Sequence, residues 1–119
     1  MTDPLTRSNS SKLERAVAEH LTRSGQTTAW MAQYASECRN EETGRKLPFD
    51  FFSWQLNTVI EVQGKQHAEY VPHFHGNRVG FVEQLRRDRM KREWAGRKGL
   101  TVIEIWSIED IDKLNQISA

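Results

Sequence analysis

Two short segments constrain this chain more than any other: Leu47-Pro48-Phe49-Asp50-Phe51-Phe52 and Thr58-Val59-Ile60-Glu61-Val62-Gln63. Each is apolar enough to be buried, and each carries a carboxylate. Short runs rich in β-branched and aromatic residues read as strands. Period two sets Leu47, Phe49 and Phe51 on one face of the first strand and Pro48, Asp50 and Phe52 on the other. In the second it groups Val59, Glu61 and Gln63 against Ile60 and Val62. An ionised carboxylate in a buried strand is costly unless it is paired or holds a metal. If the strands pair as a hairpin in suitable register, Asp50, Glu61 and Gln63 share one face, and chemistry is sought there first.

The rest of the chain frames these strands. Residues 1–10 are polar and read as a frayed arm, leaving 11–119 as a single domain. Leu13, Ala16, Val17 and Leu21 recur at helical spacing behind Ser11 as N-cap, and Ser24-Gly25 ends that helix. Ala29 to Asn40 alternates as a strand would, although Trp30, Tyr34 and Cys38 also suit a helical face; a strand is favoured. Residues 68–80 show no sustained period and read as a long loop, a length that is more often functional than idle. Phe81 to Lys98 is a second helix, with Phe81, Leu85, Arg92 and Ala95 near one meridian and Asp88 among them on the inner face. Gly99 closes it, Leu100 to Trp106 is a buried strand, and Ser107 caps a final helix carrying Ile108, Ile111 and Leu114. The order α-β-β-β-α-β-α predicts an α/β (α+β) fold, a central mixed sheet flanked by helices, with a right-handed parallel crossover through the second helix.

Composition narrows the function classes. Seventeen Lys and Arg against sixteen Asp and Glu leave a net charge of +1, so any nucleic-acid role rests on local clustering rather than bulk charge. The single cysteine, Cys38, has no disulfide partner, which suits a reducing cytoplasmic setting. No apolar run reaches membrane-spanning length, so no membrane association is expected. His67, His73, His75 and Cys38 match no common zinc spacing. The four tryptophans are expected in packing roles.

Phosphodiester hydrolysis needs phosphate charge neutralised, a water activated and a leaving oxygen stabilised, which Mg²⁺ (or Mn²⁺) does when held by one or two carboxylates and waters. Asp50 and Glu61 offer those carboxylates, and the Val62 carbonyl a further ligand. His67, just past Gly64, suits proton transfer. Asp88 can orient His67 or bind metal, and Glu14 can approach from the first helix. The second helix carries Arg86, Arg87, Arg89, Lys91 and Arg92, and with Lys65 these suit contacts to a DNA phosphate backbone.

The ordered set Pro48-Phe49-Asp50-Phe51, Val59 through His67, Arg87-Asp88-Arg89-Met90-Lys91 and Gly99 through Ile105 resembles the PD-(D/E)xK nuclease superfamily. It is most similar to the branch holding very short patch repair endonucleases and phage-type EDxHD homing endonucleases. The resemblance covers roughly Ser11 to Trp106. It implies a restriction-endonuclease-like core, a metal-dependent DNA endonuclease activity, a phage or bacterial origin and, since both strands are to be cut or nicked, a possible homodimer. In the EDxHD scheme Glu14, Asp50, His67 and Asp88 stand for E, D, H and D, with Gln63 at the variable position; in the broader scheme Asp50, Glu61 and Gln63 stand for D, E and K. The usual lysine is then missing, and its charge would have to come from His67 or Lys65. The chain also has no room for the extra recognition domain usual in homing enzymes. A Holliday junction resolvase-type nuclease and a DNA-binding module with decayed chemistry are the alternatives, with a plain interaction domain behind them.

Simpler roles compete at each position. Ser11-x-x-Glu14 is a capping box, Asp50 and Glu61 can be solvent-facing strand residues, and Asp88 can pair with Arg86, Lys91 or Arg92 along its helix. The basic run can be an ordinary solvated face.

Overall fold

The computed structural model describes residues 11–63 and 78–117. The 1–10 arm, Lys65, His67 and the greater part of the expected 68–80 loop lie outside them. In order come α1 (Lys12–Arg23), a 3₁₀ turn (Thr27–Ala29), β1 (Met31–Tyr34), β2 (Phe49–Ser53), β3 (Thr58–Val62), α2 (Arg78–Arg97), β4 (Thr101–Ile105) and a 3₁₀ helix (Ile108–Gln116). The strands form one mixed sheet in the order β1-β2-β3-β4. β1 and β2 are antiparallel, as are β2 and β3, while β3 and β4, joined through α2, are parallel. The expected mixed α/β fold with a sheet flanked by helices is found.

Two cores lie on the two faces of the sheet. On one, Val17, Ala18 and Leu21 of α1 and Leu114 of the 3₁₀ helix pack on Trp30, Phe51, Ile60 and Ile105. On the other, Trp94 and Ala95 of α2 pack on Leu47, Phe49, Phe52, Val59 and Leu100, with Cys38 beneath. Burying each phenylalanine contributes about 1.5–3 kcal/mol, so these three carry much of the core. Asp50 is where the expected alternation fails. Phe51 faces α1, but Leu47 and Phe49 join Phe52 against α2. The β1–β2 ladder pairs Met31 with Phe52, Ala32 with Phe51 and Tyr34 with Phe49, skipping Gln33 and Asp50. Gln33 has φ 51, a left-handed value that turns β1 and lets the next residue of β2 change face.

Local chemistry sets most ends. The Glu14 N–H donates to Ser11 Oγ at 3.1 Å, the expected N-cap. Gly99, at φ 73, closes α2 with Leu100 N–H donating to the Ala95 carbonyl at 2.9 Å. Other boundaries differ from the sequence reading. The strand expected over 29–40 is confined to Met31–Tyr34, because Gln33 and Ser36 adopt positive φ and the chain then turns. α2 begins at Arg78 rather than Phe81, so the last three residues of the expected loop are helical. Its inner face is also shorter: Leu85 and Arg92 are exposed, and Trp94 and Ala95 are the buried positions. The final segment is 3₁₀ instead of α, and Ser107 makes no side-chain cap bond; the Trp106 N–H donates to Asp110 Oδ2 at 2.8 Å instead. Trp30 and Trp94 are core residues, whereas Trp54 and Trp106 are exposed. No described helix is long and apolar enough to cross a membrane.

Candidate active site

The hairpin register brings the strand carboxylates to one cleft, with Glu61 facing Lys91 of α2. Phe51 pairs with Ile60 and Phe52 with Val59. Asp50 then lies opposite the end of β3, where its Oδ2 accepts the Val62 N–H at 2.7 Å. A side chain replaces the ladder acceptor at that point, and this fixes the carboxylate. Its Oδ1 accepts from Gln33 Nε2 at 2.9 Å, and the same amide nitrogen reaches Glu14 Oε2 at 3.4 Å. Gln33 therefore ties the carboxylate of β2 to that of α1. Its backbone sits in a conformation costly for a non-glycine residue by about 1–3 kcal/mol, and such strain collects at functional sites.

These groups line an open cleft of about 390 Å³ with Glu61, Asp88, Arg87 and Lys91. Four carboxylates from α1, β2, β3 and α2 thus share one concavity. Glu61, only 8% exposed in its side chain, has Lys91 Nζ at 2.7 Å from Oε1. Burial pushes the Glu61 carboxyl up from 4.5 to about 8; Lys91 opposes the rise and Asp50 reinforces it. Gln63 is buried behind Glu61, and among the described residues its Oε1 has no hydrogen-bond partner. It borders a small closed space shared with Phe49, Glu61, Asp88 and Lys91.

A second cavity adjoins the first along Leu47, Pro48 and Arg87 and carries Arg45 and Lys46, with Glu83 the one acid among its lining residues. A further opening of about 620 Å³ lies between β4 and the 3₁₀ helix, but Glu104 and Lys113 are its only charged lining groups. Polar chemistry concentrates in the carboxylate cleft, which we take as the site.

Of the residues singled out from sequence, Glu14, Asp50, Glu61, Val62 and Asp88 line the cleft and Gln63 lies behind it. His67 and Lys65 are outside the described residues. The capping and site readings of Glu14 are compatible: its backbone N–H is capped by Ser11 while its carboxylate reaches Gln33. Glu61 is not a solvent-facing strand residue, and Asp50 is half-buried. The basic helix is more neutralised than its sequence suggests. Arg86 pairs with Glu42 at 3.1 Å, Arg89 with Glu93 at 3.1 Å and Arg92 with Glu104 at 3.7 Å. Lys91, grouped by sequence with surface DNA contacts, points inward instead, where its Nζ meets the buried Glu61 at 2.7 Å. The carboxylate among buried β3 residues was the available signal that some cation would turn inward. For Gln33 there was none, since one glutamine in a polar stretch marks nothing.

Hard oxygen donors of this kind suit Mg²⁺ or Mn²⁺, which need only one or two carboxylates beside water and substrate. Among the described residues no three Asp, Glu, His or Cys side chains form a ready-made metal cage. Both Asp50 oxygens accept a hydrogen bond and each keeps a second lone pair. The donor set fits a metal held chiefly by Asp50.

No protein-family model and no solved structure matches the chain. It is 43% identical over 75 residues to "uncharacterized protein 094L" of Frog virus 3 (isolate Goorha), covering 61% of this chain and 48% of that protein. It is 36% identical over 66 residues to "uncharacterized protein 307L" of Invertebrate iridescent virus 6, covering 55% of this chain and 34% of that protein. Protein 033L of Invertebrate iridescent virus 3 is 34% identical over 67 residues, 56% of this chain and 34% of that protein. The chain spans about half the length of the first of these viral relatives and about a third of the other two.

Proposed function

We propose that the chain is the catalytic core of a Mg²⁺- or Mn²⁺-dependent DNA endonuclease of PD-(D/E)xK type, with a restriction-endonuclease-like core. The observation that carries this reading is the convergence of Glu14, Asp50, Glu61 and Asp88, from four separate elements, on one open cleft. Inward-facing carboxylates cost folding energy, so their gathering at one place calls for a cation, through which a phosphate could in turn be held. The adjoining cavity with Arg45, Lys46 and Arg87 supplies positive charge where a flanking backbone phosphate would run. Asp50, with Glu61 or the Val62 carbonyl, would hold the metal, which neutralises phosphate charge and makes bound water a better nucleophile. Gln33 and the Val62 N–H keep Asp50 aimed, and Asp88 and Glu14 complete the acidic wall; proton transfer is the role that the resemblance implies for His67, which lies outside the described residues.

Purified protein, supercoiled plasmid and Mg²⁺ or Mn²⁺ test this. Nicking or linearisation abolished in Asp50→Ala supports it, and wild-type protein no more active than Asp50→Ala refutes it. A single-site product would place it with homing or mismatch-repair enzymes, and preference for four-way junctions with the resolvases. Sedimentation with DNA tests for a homodimer.

One observation favours a second reading. Glu61 is already paired with Lys91 and Gln63 replaces the lysine, as expected of a DNA-binding module that has lost its chemistry. Salt-sensitive DNA binding with no calorimetric signal on Mn²⁺ addition would favour that module.

A further inference from the structure

Lys91 is the one cation of the basic helix that its fold position does not explain as surface charge. Its side chain is 13% exposed, against 45%, 76% and 48% for Arg86, Arg89 and Arg92. It reaches Glu61 at 2.7 Å and stands 5.2 Å from the centre of the Phe49 ring. A buried contact of this kind is weak evidence for stability, because desolvating the two groups offsets much of their attraction. A lysine one turn away on the solvent face would cost less.

Its surroundings supply the reason. Lys91 lines the cleft with Asp50, Glu61 and Asp88, and it borders the closed space that also holds Gln63. Position 63 is where the resembled nucleases carry an ammonium on the strand, and an amide has no charge. Lys91 comes to the same wall from the helix across the cleft. Nζ carries three N–H donors and its contact with Glu61 occupies one, which leaves the others for a phosphate oxygen.

We propose that Lys91, delivered by α2, is a catalytic residue that supplies the positive charge strand β3 lacks at Gln63 and contacts the scissile phosphate. The inference rests on the nuclease reading. In hydrolysis a water oxygen bonds to phosphorus while the bond to the leaving oxygen breaks; the water gives up one proton and the leaving oxygen takes one up. Lys91 enters neither transfer. Its fixed charge stabilises the negative charge that develops on the phosphate.

The test compares wild type, Lys91→Met and the double variant Gln63→Lys/Lys91→Met, which returns one ammonium to the same wall from the strand. Cleavage is measured at saturating DNA with Mn²⁺, DNA affinity by fluorescence anisotropy and folding by circular dichroism. Lys91→Met should cleave about 100-fold more slowly, the usual cost of one charge-stabilising donor, with DNA affinity within about three-fold of wild type. The double variant should recover at least about ten-fold. A folded Lys91→Met within about three-fold of the wild-type rate overturns the proposal, as does a folded double variant no faster than Lys91→Met. Should Lys91→Met not fold because Glu61 loses its partner, the double variant decides alone: active supports, folded and inactive overturns. Asp50-dependent cleavage that ignores Lys91 refutes this inference and spares the nuclease reading. Inactive wild type refutes both.

Discussion

Replacing Glu61 with glutamine turns the electrostatics of the cleft into a stability measurement. Burial raises this carboxyl from 4.5 to about 8, so between those values the folded protein holds a proton that the unfolded chain has released. Where the native state binds more protons, stability falls as pH rises. One such group contributes a slope of at most about 1.4 kcal/mol per pH unit. Across the window the loss approaches about 4 kcal/mol, with Lys91 as the countering charge that keeps it from being larger. Glu61→Gln cannot ionise and resembles the protonated wild type. Urea unfolding of both proteins at pH 5, 6.5 and 8 should give similar stabilities at the acid end, with the variant ahead by about 2–4 kcal/mol at the alkaline end. A difference that stays constant within about 0.5 kcal/mol, or a wild type that gains on the variant as pH rises, would refute the reasoning. Glu61 would then be ionised throughout, with the Lys91 attraction exceeding the cost of burial.

Other consequences are checked more simply. Gln33→Ala removes the amide that joins Glu14 to Asp50 and should lower plasmid cleavage by about ten-fold or more while costing about 1–2 kcal/mol in urea unfolding; unchanged activity would show that Asp50 needs no such support. Phe52→Ala empties a fully buried position against Phe49, Tyr34 and Trp94 and should destabilise by about 3–5 kcal/mol in thermal or urea unfolding, with less than 2 kcal/mol disproving the packing described. The buried Cys38 thiol, raised by burial from 9.0 to about 11, should resist alkylation at pH 8 until denaturant is added, and rapid labelling of the native protein would contradict its burial. Arg87→Ala should weaken DNA binding and reduce its dependence on salt by about one unit in the log–log slope, measured by anisotropy; an unchanged slope would remove Arg87 from the interface.

What the sequence determined by itself is what local forces encode. Helical spacing behind a serine cap located α1, and period-two alternation located β2 and β3 and set Glu61 and Gln63 on one face, since a residue's place in these patterns depends on its near neighbours. The acidic character of the site was legible for the same reason: a carboxylate among phenylalanines and valines advertises its own cost. Fold decisions that depend on distant partners were not legible. Phe49 and Phe51, two apart on one strand, end in different cores because Gln33 on the neighbouring strand turns left-handed opposite Asp50. Arg86 and Arg92 of α2 find acids on other segments, so a run that reads as strongly basic is partly neutralised. Lys91 looks in sequence like its neighbours and is separated from them by helix phase and by the carboxylate across the cleft. Ion pairs and shared cavities join residues far apart in the chain, and only the tertiary structure could decide that the ammonium at Lys91 faces Glu61 beside the uncharged amide at Gln63.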